Sequence, residues 1–227
     1  MSNAPRIDNV FLSSLARQET MEMFGVADVS EEKEHFHALP TASLERLPRA
    51  IVIGKRVSAT VLDTLEDGPN LVYYHHYRQV NFLLDRVATQ IASEIESRGY
   101  LALPVAASQL VDWKAQTGHV SHKRLAWLAG LGWRGRNGLL VSPEWGAKVR
   151  LATILTDAPL EPGQPFDSDC GSCKRCLSVC PAGAIKDDPA DFDRTKCADK
   201  LKEFTKTRGI GVSICGLCVK VCHGSGG

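Results

Sequence analysis

The chain of 227 residues has no cysteine before Cys170. That absence excludes a disulfide framework from its larger, N-terminal part. Long apolar runs are also missing. The clean ones are short, as in Ala50-Ile51-Val52-Ile53, whereas a membrane helix needs roughly 20 apolar residues in succession. No membrane span is therefore expected. Neither sign of charge is in excess: 27 Lys and Arg against 26 Asp and Glu leave +1. That balance gives no composition-level case for nucleic acid or for an anionic membrane surface. Met1-Ser2-Asn3-Ala4-Pro5 lacks the basic and apolar regions of a secretory signal, so a cytoplasmic location is expected. Ser2-Asn3-Ala4 reads as a cloning scar and carries no fold argument. With 44% apolar and 23% charged residues, the composition is otherwise that of an ordinary globular chain.

Periodic signals fill the cysteine-free part. Phe11, Leu12, Leu15, Met21 and Phe24 form a loose helical pattern over 8–24, and residues 24–29 read as a short strand. Residues 49–57 (RAIVIGKRV) read as a buried strand after Pro48, and Gly68-Pro69-Asn70 as a turn. Val80, Leu84, Val87, Ile91 and Ile95 make one stripe of an amphipathic helix over 78–98, with Gly99 placed for a C-terminal cap. Residues 100–106 and 149–156 read as strands, and 120–129 as a helix. Strands alternating with helices predict one main sheet. The segment 160–169 (LEPGQPFDSD) reads as a linker. The predicted organisation is a domain over 5–159 and a second over 160–227. The second has too little apolar content for its own core and needs a staple.

That staple is eight cysteines, all between Cys170 and Cys222. Cys170, Cys173, Cys176 and Cys180 form C-x2-C-x2-C-x3-C followed by Pro181, the bacterial ferredoxin run, whose fourth cysteine serves the other cluster in two-cluster proteins. Cys197, Cys215, Cys218 and Cys222 form a second set with none left over. By that logic one [4Fe–4S] cluster takes Cys170, Cys173, Cys176 and Cys222, and the other takes Cys197, Cys215, Cys218 and Cys180. The crossed assignment ties both halves of the tail together. His223 stands where the second set would carry a proline. The competing reading is zinc, whose sites favour paired C-x2-C arms at longer separations. Two clusters make an electron conduit, so the N-terminal part must hold whatever the electrons are for.

Residues 129–140 (AGLGWRGRNGLL) contain a literal G-x-G-x-x-G at Gly130, Gly132 and Gly135. A dinucleotide site needs a strand before it and a helix after it. Here a predicted helix precedes it. A helix cap accounts for Gly130 alone. Four glycines in nine residues, with Arg134, Arg136 and Asn137, point to backbone brought close to a large ligand bearing anionic or amide groups.

The succession AGLGWRGRNGLLVSPEWG, RLATILTD, CGSCKRCLSVCPAGAI resembles the cobalamin-dependent iron–sulfur family of epoxyqueuosine reductases and reductive dehalogenases. The resemblance is specific over about 120–222. It implies an α+β protein, with a nitroreductase-like α/β core that binds a base-off corrinoid, followed by a two-cluster bacterial-ferredoxin-like module. Gly130, Gly132, Trp133, Gly135, Arg136 and Asn137 are the implied corrinoid-binding residues, Arg136 standing where a lysine is usual. The implied cofactors are two [4Fe–4S] clusters and cobalamin, and the implied partner is a low-potential donor such as a ferredoxin or flavodoxin. The chain stops just after Cys222, without the C-terminal helical repeats of epoxyqueuosine reductases, so tRNA is not expected as a partner of this chain alone. The family's acidic proton donor lies in a V-D segment. Val111-Asp112 is such a pair, about one helical turn upstream of that station. The expected function is corrinoid-dependent reduction. The alternatives are an electron-transfer or corrinoid-handling protein without its own turnover, and an iron–sulfur module without a corrinoid.

Other groups are weighed against bland roles. Tyr74 and Tyr77, in the run Tyr73-Tyr74-His75-His76-Tyr77, are candidate proton donors or helix-entry side chains. His119 and His122 read as a solvated helix face. Trp113, Trp127, Trp133 and Trp145 read as core. Lys200, Lys202, Lys206 and Arg208 read as a docking patch for an acidic donor or as a solvated loop.

Overall fold

A computed structural model describes residues 7–112 and 114–224. Residues 1–6, which include Ser2-Asn3-Ala4, as well as Trp113 and the terminal Ser225-Gly226-Gly227 lie outside the described residues. The chain forms two compact units that are interleaved in sequence. The first comprises Met1–Lys55, Asn81–Leu131 and Arg150–Phe166, and the second Arg56–Val80, Gly132–Val149 and Asp167–Gly227. The last change of unit, after Phe166, falls inside the predicted linker. The second unit also recruits 56–80 and 132–149, which a linear division at 159/160 assigns to the N-terminal domain.

In the first unit, α1 (Asn9–Gln18) is capped by Asp8, whose carboxylate accepts the Phe11 N–H at 2.8 Å. Strand β1 (Met23–Asp28) follows, then the single turn α2 (Thr41–Leu44) and β2 (Arg49–Arg56). Beyond α3 (Ala59–Asp63), the helix α4 (Leu71–Glu96) leads to β3 (Ala102–Val105) and α5 (His122–Leu128). The short strands β4 (Trp133–Arg134) and β5 (Leu140–Val141) precede β6 (Val149–Thr156). The sheet runs β1-β2-β6-β3. β1 pairs antiparallel with β2, Met23 opposite Gly54, and β3 antiparallel with β6, Val105 opposite Thr153. Ile51, Val52 and Ile53 of β2 and Ile154 and Leu155 of β6 are fully buried. Central strands covered on both faces need unbroken apolar runs, which explains why these two were the clearest in the sequence.

Helix α4 starts earlier than the stripe predicts. Asn70 caps it, its side-chain oxygen accepting the Tyr73 N–H at 2.9 Å, so Tyr73 to Tyr77 are helical rather than an entry segment. Its C-terminal end has Gly99 in the left-handed region at φ +86°, as expected. Helix α5 starts only at His122, with Ser121 as its cap, so His119 and His122 share no helix face. The His122 ring lies inside: Nδ1 is 2.7 Å from the Thr153 hydroxyl and Nε2 3.0 Å from the Ala106 carbonyl. Burial pulls its pKa down to about 4.

The second unit is built from short pieces: α3, the start of α4, β4 and β5, then α6 (Arg175–Ser178), α7 (Arg194–Thr207) and α8 (Leu217–Lys220). Its core joins Leu62, Leu65, Tyr73 and Tyr77 to Phe204, Ile214 and Leu217. The Lys220 ammonium donates to the carbonyls of Asp63 (3.2 Å) and Leu65 (2.7 Å), fastening α8 to the end of α3. Gly216 sits at φ +91°, and a Cβ there would lie 2.7 Å from Leu65 and 2.8 Å from Tyr73, so only glycine fits between Cys215 and Leu217. Among the described residues no helix is long and apolar enough to cross a membrane.

Candidate metal centre

The thiols come from three stretches of the second unit, 170–180, 197 and 215–222. The Cys170–Cys176 loop closes on itself through the Cys173 N–H, which donates to the Cys170 carbonyl at 3.0 Å, and runs into α6. Cys197 lies in the first turn of α7, where Asp193 caps the helix through the Lys196 N–H. Cys218 is on α8, with Cys215 before and Cys222 after it, and α6 packs against α8.

Electrostatics sorts these thiols into two sets. Burial pushes Cys176 up to about 11, and the neighbours that add to the shift are Cys222, Cys170 and Cys173. Burial likewise pushes Cys215 up to about 11, with Cys197 and Cys180 as contributing neighbours. Cys218 is raised by burial and then by Cys215 and Cys197, and Cys222 by burial and then, among the thiols, by Cys170 and Cys173. Cys176 acts on Cys218 ahead of Cys180, so the two sets adjoin there. Several partly buried sulfurs held together are poor as free thiolates and good as metal ligands, which release their protons when metal binds. The donor set therefore fits iron–sulfur ligation. Among the described residues no three His, Cys, Asp or Glu side chains close on one point as the ligands of a single ion do. A cubane instead places each thiolate on its own iron, which keeps the sulfurs farther apart.

The glycine-rich segment is a hairpin, Trp133 opposite Val141 and Arg134 opposite Leu140. Its close approaches are to protein. A Cβ on Gly132 would overlap the Val141 carbonyl; one on Gly135 would lie 2.5 Å from the Val141 side chain, and one on Gly138 2.8 Å from Phe192. Gly130 belongs to the first unit, where it ends α5 at φ +77°. The tight hairpin and the helix end each require glycine at these positions. Arg136 is also engaged by protein: Nε donates to the Asp187 carbonyl (2.7 Å), and the two terminal nitrogens to those of Cys173 (3.0 Å) and Gly171 (2.8 Å). Trp133 is buried. Asn137 is buried with its Oδ1 accepting the Leu139 N–H at 3.2 Å, while its Nδ2 has no protein acceptor among the described residues.

The candidate acids are engaged structurally. The exposed Asp112 carboxylate accepts the N–H groups of Lys114 (2.8 Å) and Ala115 (2.9 Å), closing the loop whose ends pair at Asp112 and Thr117. Tyr77 is buried and packs edge-on to Tyr73 at 6.3 Å between ring centres. Tyr74 carries the Arg78 guanidinium on its ring, 5.5 Å from the centre. The basic run is largely neutralised on the spot: Lys200 pairs with Glu203, Lys202 with Asp199 and Arg208 with Asp67. Such exposed pairs are consistent with a solvated helix face. Sequence reasoning missed the grip of Arg136 and the supports Leu65, Tyr73 and Lys220. The stripe Tyr73-Tyr77-Val80-Leu84, at helical spacing, was the available signal for the tyrosines.

Residues 169–224 match the family model described as a 4Fe-4S double cluster binding domain. The epoxyqueuosine reductase of Bacillus anthracis is 35% identical over 117 residues, covering 47% of this chain and 30% of the relative. Over this stretch the chain is similar to iron–sulfur epoxyqueuosine reductases. It spans about a third of the length of such curated relatives. Two solved structures share the fold at low identity. A reductive dehalogenase, solved with a mechanism for B12-dependent dehalogenation, gives a TM-score of 0.70 at 19% identity, over 93% of this chain and 30% of that one. The epoxyqueuosine reductase of Streptococcus thermophilus gives 0.62 at 20%, over 96% of this chain and 66% of that one. The chain accordingly carries an iron–sulfur cluster binding domain in a protein of mixed α and β structure.

Proposed function

We propose that this chain is a reductase in which two [4Fe–4S] clusters carry electrons from a low-potential ferredoxin or flavodoxin to a corrinoid held by a nitroreductase-like α/β core. The observation that carries the reading is the gathering of eight half-buried or exposed cysteines as Cys170, Cys173, Cys176, Cys222 and as Cys180, Cys197, Cys215, Cys218. The crossed ligation makes the 170–180 and 197–222 segments mutually dependent. In function, 160–227 is the ferredoxin-like part and 5–159 the corrinoid-binding part. When bound, a corrinoid supplies a strongly reducing cobalt centre for substrate reduction. Of the residues implied to hold it, Asn137 fits best, because its Nδ2 is a buried donor without a protein partner; a ligand amide or carbonyl would satisfy it. Arg136 acts on the cysteine loop instead.

A second reading, electron transfer or corrinoid reduction without substrate turnover, is favoured by the state of the acids. Asp112 holds a loop and Tyr77 a core, and these structural roles support it. Epoxyqueuosine is the substrate in the relatives' name; tRNA is left outside this chain's proposed partners.

Three measurements on the anaerobically reconstituted chain test the reading. Iron and acid-labile sulfide should approach eight of each per chain, and added cobalamin should show a base-off spectrum. Half that iron overturns the two clusters, and an unchanged cobalamin spectrum overturns the corrinoid. Multiple turnovers of epoxyqueuosine in tRNA would overturn the exclusion of tRNA and the second reading together.

A further inference from the structure

Arg136 lies on the hairpin turn, remote in sequence from the cysteine loop that it grips. Its three bonds end on main-chain carbonyls: Gly171, Cys173 and Asp187. Two of these belong to the Cys170–Cys176 loop. A planar trans peptide points its N–H away from its own C=O, and the described chain has no cis peptide. Drawing the Gly171 and Cys173 carbonyls onto the guanidinium therefore turns the Ser172 and Lys174 N–H groups to the opposite side. Neither N–H donates to a protein acceptor among the described residues. The neighbouring Arg134 donates to the Pro189 carbonyl at 3.1 Å, so the hairpin is fastened to the same segment twice.

We propose that Arg136 is a positioning residue for the cluster on Cys170, Cys173, Cys176 and Cys222. It fixes two loop peptides so that the Ser172 and Lys174 N–H groups donate to cluster sulfur, and so raises that cluster's reduction potential. The reduced cluster carries one more negative charge than the oxidised one. Hydrogen bonds to its sulfurs and a nearby cation both favour the reduced form. The rigid five-donor fork of arginine can hold three carbonyls at once, which a lysine ammonium on a flexible stem cannot do in the same geometry. The inference rests on the two-cluster reading above.

The test is a redox titration followed by electron paramagnetic resonance on the full chain with its iron loaded, for the unmodified protein, Arg136→Gln and Arg136→Lys. Failure of the unmodified protein to show two [4Fe–4S] signals would refute the two-cluster reading itself. With both signals present, Arg136→Gln should shift one midpoint to a more negative potential and leave the other in place. Arg136→Lys should show a smaller shift of the same midpoint. Unchanged midpoints in both variants would overturn the proposal. A shift in the Gln variant with none in the Lys variant would assign the effect to charge alone and overturn the positioning role. Should Arg136→Gln fail to keep its iron, the Lys variant decides: a negative shift of one midpoint supports the role, and none refutes it.

Discussion

Each of the two units is stabilised internally by different means. The first buries whole strands: Ile51 to Ile53 and Ile154 to Leu155 have no exposed surface. Its stability comes from apolar area, roughly 25 cal/mol per Å² removed from water. The second has helices of four or five residues apart from α7 and the start of α4, and single turns are marginal without external support. Its core is small and partly aromatic. Side chains fasten its loops at main-chain carbonyls, as Lys220 does at Asp63 and Leu65 and Arg136 does at Gly171, Cys173 and Asp187. A scaffold of this kind leaves backbone and thiols ready for a cofactor.

Removal of iron sharpens this contrast most. Chelation under reducing conditions should abolish hydrogen-exchange protection across 170–222 while β2 and β6 keep theirs, because metal binding and folding are linked in such sites. Equal loss in both units would break the contrast. Truncating the two cores should come next. Ile53→Ala should cost about 2–5 kcal/mol, measured by denaturant unfolding, with the iron content unchanged. Leu217→Ala, beside Cys218, should instead speed iron loss to a chelator. If Ile53→Ala released iron as readily, the units would not be separable in this way.

A smaller effect concerns the buried imidazole of the first unit. The folded pKa of His122 is about 4, below the ordinary 6.5. The unfolded chain therefore binds more protons between those values. The contribution of the neutral ring is present in full above pH 6.5 and is lost as pH falls toward 4, by up to about 1.4 kcal/mol per pH unit. Exchange protection of β6 should fall over that window, and His122→Gln should flatten the fall. The smallest expected effect is on α7, where Lys202→Ala should change stability by no more than about 0.5 kcal/mol, read from the same unfolding curve.

Legibility in the sequence followed the same division. Both central strands, the stripe of α4 and the Gly99 cap were readable, because burial on both strand faces and on one helix face imposes a pattern. The cysteine spacing was readable because ligand chemistry fixes residue type. The start of α4 was not, since His75-His76 interrupts the apolar signal between Tyr73 and Val80. The glycine-rich segment was ambiguous for a different reason. A glycine required by a neighbouring strand looks the same in sequence as one required by a ligand, and only the nearness of Val141 and Phe192 distinguishes them. Recruitment of 56–80 and 132–149 into the second unit is a long-range pairing, and no local pattern records it.

The central claim is that the cysteines work as two crossed sets within the second unit. Iron analysis with electron paramagnetic resonance on Cys180→Ser and Cys222→Ser, each in the full reconstituted chain, tests it most directly. The account predicts that Cys222→Ser perturbs the cluster whose potential responds to Arg136, and that Cys180→Ser perturbs the other. The reverse assignment, or two intact clusters in Cys180→Ser, would contradict it.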